Sequence, residues 1–225
     1  QVYSTYAECG TQVKLENLIF DGKSLAKGGN GGAIRSNNVI VNIDNCVFKG
    51  YKADRGGAVF VKWGGLTVKN SNFSECYSQS SVNKCGGGGI WTTAKVLTVE
   101  NCRFESCKCD QSGGAQGGAI FHNIRNDGAE VWTNATEKFP NGFSLGSETW
   151  IKDCYFTDSY SVSGSGGVVE SDALKVTFEN CQFYGGYTGK NAGNGGAINA
   201  WTNDNNSIGS LNSSLTIKGC WFEDC

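Results

Sequence analysis

Two short phrases alternate along this chain, and a chain that repeats itself at this scale has few folds open to it. An Asn-Cys-x-Phe phrase or a close variant follows an alternating apolar stretch seven times, at Asn17–Phe20, Asn45–Phe48, Asn70–Phe73, Asn101–Phe104, Asp153–Phe156, Asn180–Phe183 and Gly219–Phe222. Between successive copies lies a Gly-Gly-Ala-Ile phrase or variant, at Gly31–Ile34, Gly56–Val59, Gly87–Ile90, Gly117–Ile120, Gly166–Val169 and Gly195–Ile198. A period of roughly 25 to 30 residues marks a solenoid, in which each repeat buries its apolar face only by stacking on its neighbours.

Inside each repeat the apolar period is two. Val41, Ile43 and Asn45 share a face, as do Leu66, Val68 and Asn70, and Leu97, Val99 and Asn101. These segments are strands. After each Asn the parity flips, so that Cys46 and Phe48, Cys102 and Phe104, Cys154 and Phe156, Cys181 and Phe183, and Cys220 and Phe222 become the inward pairs. A third strand follows each Gly-Gly, with Ile34, Val59, Ile90, Ile120, Val169 and Ile198 inward. The expectation is a single all-β domain over 1–225, a right-handed parallel β-helix of about seven three-strand coils. Asn tolerates the left-handed backbone angles of a tight corner, and paired glycines bend the chain without a Cβ clash. Inward Phe residues would form one continuous stack.

The alternation of Gly-Gly-Ala-Ile with inward-Phe phrases resembles the repeat passenger domains of chlamydial polymorphic outer-membrane proteins and, more loosely, other right-handed β-helix surface proteins. The resemblance runs over nearly the whole chain and lies in its Gly-Gly-Ala-Ile half; that family's Asn three places after Phe is replaced here by Lys23, Tyr51, Cys76, Cys107, Ser159, Gly186 and Cys225. It implies a β-helix with a surface or adhesive role.

The net charge of −2, with no basic run, argues against nucleic acid, and no apolar stretch is long enough for a membrane-spanning helix. The chain has no Met and begins Gln1-Val-Tyr, as expected of a mature fragment whose leader has been removed or of a part of a longer repeat protein. Eleven cysteines point to an oxidising, extracellular location. Zinc would require close Cys/His pairs, yet there is one His and one tight pair, Cys107-Lys-Cys109, so neither a metal nor a cofactor is expected. Cys46, Cys102, Cys154, Cys181 and Cys220 share one inward slot, some of them as small buried hydrophobes. Cys76, Cys107 and Cys225 share a second. Stacked Cα atoms about 4.8 Å apart make Cys76 to Cys107 the favoured disulfide. With an odd cysteine count, Cys225 and Cys9 are the intermolecular pair to test.

Four Asn-x-Ser/Thr sequons, at Asn72, Asn134, Asn205 and Asn212, are candidate N-glycosylation sites: Asn72 points outward from a strand and the others fall in inserted loops. The insertions, approximately 121–149 and 199–214, enter at the same corner. With their margins they carry Trp132, Phe139, Pro140, Phe143, Trp150 and Trp201, which suit binding or assembly, or simply cover the wall. Between the insertions, Glu170 and Asp172 are expected on the surface, flanked by Asn123 and Asn199. That spacing suits paired-carboxylate chemistry on a polysaccharide, as in a lyase or hydrolase, or a Ca²⁺ site, or merely a solvated face. Phe60, Trp91 and Phe121 are expected as an exposed aromatic column which, with Trp201, would suit sugar rings or a neighbouring subunit. The leading expectation is a secreted, glycosylated, non-enzymatic structural or adhesive protein that associates head to tail into a fibre or cell-surface layer; a carbohydrate-binding adhesin is the alternative.

Overall fold

The computed structural model describes residues 11–22, 29–79, 85–110, 115–124, 147–189, 193–201 and 213–225. Every regular element among them is a strand, and the pairings between strands are parallel. Two seven-stranded sheets, one of six, one of five and one of two account for all of them. Each strand pairs with its counterparts one repeat away, while strands consecutive in sequence lie in different sheets. Such an arrangement is consistent with a parallel β-helix. Closure by non-local pairing leaves no local hairpin to nucleate it.

The broad sheet runs from Gln12–Glu16 to Ser214–Lys218, with Val41, Ile43, Leu66, Val68, Leu97, Val99, Ile151, Val176 and Phe178 buried on its inner face. Asn17, Asn45, Asn70, Asn101, Asp153, Asn180 and Gly219 then turn the chain with φ between 48° and 64°. Asn amides bond along this corner: Asn45 donates to Asn17 at 2.7 Å, Asn101 to Asn70 at 2.8 Å and Asn180 to Asp153 at 3.1 Å, while Asn70 reaches Asp44 instead. The next sheet, from Ile19–Asp21 to Trp221–Glu223, carries the Phe stack. Phe20, Phe48, Phe73, Phe104, Phe156, Phe183 and Phe222 are parallel-stacked at centroid spacings of 4.7 to 5.0 Å.

A second left-handed corner follows six of the seven Phe strands, at Gly50, Glu75, Ser106, Asp158, Gly185 and Asp224, with φ between 48° and 70°. It sets off a short strand, such as Tyr77–Ser78 or Lys108–Cys109, which the three-strand expectation had absorbed into a turn. A repeat such as 65–92 therefore has four strands, and the fourth went unread because two residues are too few to show a period in the sequence. The glycine pair closes the repeat. Gly56 has φ +57°, and a Cβ on Gly57 would collide with the carbonyl of Gly88 on the next repeat. The first glycine supplies the angle and the second the close approach.

Candidate functional site

The column formed by Phe60, Trp91 and Phe121 was expected to face solvent; the structure buries it. Their exposures are 3%, 2% and 0%, and they form a second apolar cluster outside the main core. Phe60 stacks on Trp91 at 4.5 Å, and Phe121 meets Trp91 edge-on at 6.4 Å. A strip of backbone from the preceding wall covers them. Any Cβ on Gly86 would strike the Phe121 ring, Arg55 lies over Trp91, and Gly86 and Gln116 are bridged to one another. Parity assigned these side chains correctly to the outer face of their strand, yet a second layer lies upon it.

Glu170 continues the same column: it is in register with Phe121 on one side and Asn199 on the other. The expected exposed acid pair is likewise corrected, since Glu170 is fully buried and Asp172 is 5% exposed. Gln116 donates an amide hydrogen to Glu170 at 2.9 Å. A substrate would have to displace Gln116 to reach that carboxylate. Asn123 is buried beside this wall and Asn199 is half-buried. No group of three or more His, Cys, Asp or Glu side chains among the described residues could hold a metal ion.

The neighbouring strand positions point inward and hold a polar network that sequence reading missed. His122 is wholly buried; its Nε2–H donates to the Ala94 carbonyl at 2.7 Å, and its Nδ1 accepts from the Thr149 hydroxyl at 2.6 Å. Ser171 in turn bonds Thr149 at 2.7 Å. Burial pulls the His122 pKa down to about 4, against the opposing pull of the Ala94 carbonyl. The ring is therefore a neutral cross-brace between walls.

The corner cysteines also have a structural task. Cys46, Ser71, Cys102, Cys154, Cys181 and Cys220 each donate to the carbonyl two residues back, at 2.6 to 3.5 Å. At the second corner Cys76, Cys107, Ser159 and Cys225 do the same. Serine replaces cysteine in both columns and supplies the same short donor, while Leu18, Tyr51 and Gly186 fill the slot after their corners without one. The favoured pair Cys76 and Cys107 is not joined, and each keeps its thiol; Cys9 lies outside the described residues. Burial pushes the Cys107 and Cys154 thiols well up, whereas the hydrogen bond with Cys154 lowers Cys181.

Asn72 is exposed between buried Ser71 and Phe73, as its parity predicts. Asn134, Asn205 and Asn212 lie outside the described residues, as do Trp132, Phe139, Pro140 and Phe143. Strands occupy the margins of both insertions, Ile120–His122 and Glu148–Lys152 around the first, Ile198–Ala200 and Ser214–Lys218 around the second. Trp150 and Trp201 are 44% and 51% exposed. The indole of Trp150 donates to Glu148, which with Lys175 holds that carboxyl below its usual range.

Two outward-facing columns, partly exposed, were overlooked. On the short sheet, Lys52, Tyr77, Lys108, Tyr160 and Tyr187 stack in register, with the Lys108 ammonium 4.1 Å from the Tyr77 ring and Tyr160 on Tyr187 at 4.5 Å. On the broad sheet the residue before each corner reads Glu16, Asp44, Lys69, Glu100, Lys152, Glu179, Lys218, all in register. From Asp44 onward its charge alternates at every repeat, and the two columns were legible once the repeats were aligned on their corners. No protein-family model, curated protein or solved structure matches the chain, so the chlamydial likeness rests on the repeat phrases alone.

Proposed function

We propose that this protein is a secreted, non-enzymatic structural or adhesive protein, a glycosylated building block that stacks head to tail into an extracellular fibre or surface layer. In this reading it is a right-handed parallel β-helix of about seven coils, and exposed Asn72 carries one of its glycans.

The match between the first and last described repeats carries the proposal. The strands Gln12–Glu16 and Ser214–Lys218 are both five residues long, and Ile19–Asp21 and Trp221–Glu223 are both three. Among the described residues each pairs on one side only, and both end repeats expose apolar side chains: Val13, Leu18 and Ile19 at one end, Leu215, Ile217, Trp221 and Phe222 at the other. Unpaired strand edges accept further strands. If a second copy continued the register, Phe222 would stack on Phe20, Leu215 and Ile217 would meet Val13 and Leu15, and Lys218 would meet Glu16. That last contact extends the alternating charges. It also adds a second cation to Glu16, which pairs with Lys14 at 2.8 Å on its own strand and has the like-charged Asp44 as its in-register neighbour. Only Glu223 against Asp21 would be unfavourable, at the rim.

Charge reversal tests this. Lys218→Glu should raise the concentration needed for assembly by about two- to five-fold, the worth of one exposed pair, and Glu16→Lys in the same chain should restore it. Equal assembly by all three proteins would contradict the register. An intact mass of native material showing further repeats beyond Cys225 would put the chain itself on that edge and contradict the second copy as occupant.

The adhesive alternative no longer rests on Phe60, Trp91 and Phe121. Its support is the outward Tyr77, Tyr160 and Tyr187 column with its interleaved lysines, which presents ring faces and cations together. Retention on a glycan array that is lost in Tyr187→Ala would favour it.

A further inference from the structure

Cys85 and Cys109 belong to neither corner column. They pack with Ala115 into a small cluster of their own, each 0% exposed, between the short sheet and the covering strip. Cys109 ends the strand Lys108–Cys109, whereas Cys85 precedes Gly86 in the strip, where its carbonyl accepts from the Gln116 amide at 3.2 Å. The Ser78 hydroxyl donates to the Cys109 sulfur at 3.3 Å from the neighbouring strand. The two thiols thus come from different walls and meet across a dry gap.

The corner thiols are placed differently. In-register neighbours on parallel strands hold their Cα–Cβ bonds side by side, so their Cβ atoms keep the strand spacing of about 4.8 Å. That is wider than the roughly 3.5 to 4.5 Å of a relaxed disulfide. Cys102, Cys154, Cys181 and Cys220, and likewise Cys76 and Cys107, are therefore held apart by the ladder that aligns them. Cys85 and Cys109 are under no such constraint.

We infer that Cys85 and Cys109 form a structural disulfide that pins the Gly86–Gln116 strip over the Phe60–Trp91–Phe121 column. This inference does not depend on head-to-tail assembly. The oxidant is a small-molecule disulfide such as oxidised glutathione: one cysteine thiolate attacks it, releasing one glutathione thiol, and the second thiolate displaces the other. Two protein thiols are oxidised to one disulfide, one external disulfide is reduced to two thiols, and the protein's two protons are taken up by the leaving thiolates. Because both sites are closed to water once folded, and burial and the neighbouring thiol hold the Cys109 proton tightly, the bond forms while the strip is still open.

Peptide mapping decides the matter without a variant. Trypsin cuts after Lys84, Lys95, Lys108 and Arg125, so Cys85 and Cys109 each fall in a peptide with no other cysteine. The protein is refolded with reduced and oxidised glutathione, its free thiols are alkylated under denaturing conditions, and it is digested without reductant. The expected product is the peptide 85–95 joined to 109–125, absent after reduction. Recovery of both as separate alkylated peptides from folded material, or of either joined to another cysteine, would overturn the assignment. As a second readout, Cys85→Ser and Cys109→Ser should each lower the melting temperature of the oxidised protein and leave that of the reduced protein nearly unchanged.

Discussion

Left-handed corners are the smallest unit that explains this sequence. The carbonyl before a residue with φ near +50° accepts the corner N–H of the adjoining repeat, as that of Lys152 does from Asn101 at 3.0 Å, and a Cys or Ser side chain just after the corner turns inward as its second donor. This accounts for the exchange of Cys and Ser within a column, which a purely hydrophobic slot does not. Cys154→Ser is accordingly predicted to stay within about 1 kcal/mol of the parent in denaturant melts, whereas Cys154→Val, which removes the donor and adds volume, should lose about 1 to 3 kcal/mol. Equal losses would mean that the thiol is merely filler. His122 makes a second prediction at this scale. Its pKa is about 4 in the folded chain and about 6.5 unfolded, so the neutral form is favoured by folding. The stabilisation is complete above pH 6.5 and falls away as pH drops toward 4, by about 3 kcal/mol in all. His122→Gln should flatten that stretch of the stability profile; an unchanged slope would place the acid-sensitive group elsewhere.

At the scale of the strand and its turn, the two glycines of the Gly-Gly phrase do different work from a glycine elsewhere. Gly57→Ala would drive a methyl into the backbone of the next repeat and is predicted to cost more than about 3 kcal/mol or to abolish folding. Gly65→Ala meets only the Ile40 side chain, at 3.7 Å and beyond, and should be neutral or stabilising by up to about 1 kcal/mol. Circular dichroism melts of the pair would check this, and a similar response from both would contradict the assigned packing. Phe104→Ala should cost about 3 to 5 kcal/mol, since it opens a gap between Phe73 and Phe156. Three of the four strands of a repeat, their two faces, the Asn corners and the Phe stack were legible, because period-two alternation and recurrent Asn and Gly carry their positions in the sequence. Burial of the outer column was not. Parity puts Phe60, Trp91, Phe121 and Glu170 on the outside of a strand, but their cover comes from Gly86 and Gln116, on segments with no periodicity of their own. The same strip turned the expected exposed acid pair into a buried pair, with Glu170 held by an amide.

Over the whole molecule, what counts is whether the columns stop at the end repeats or continue into another copy. The Asn amides, the corner thiols and the stacked rings interact along the repeats within the chain, and the ring stack ends at Phe20 and Phe222. The charge column is different. Its alternation runs Asp44, Lys69, Glu100, Lys152, Glu179, Lys218, with Lys69 and Glu100 at 2.7 Å, and breaks only at Glu16 beside Asp44. A cation on the free side of Glu16 mends that break, and Lys218 on the opposite end of a second copy lies at the matching position. This feature was available to sequence reading, as the residue preceding each corner, but it takes on meaning only when the register between repeats is known. Electron cryo-microscopy of the native material tests the assembly most directly. The account predicts unbranched filaments with strands perpendicular to the axis, an inter-strand spacing of about 4.8 Å and an axial rise of about 34 Å per subunit, with Phe222 of one copy stacked on Phe20 of the next. Monodisperse monomers at every concentration examined, or filaments joined through side walls with both end repeats free, would contradict it.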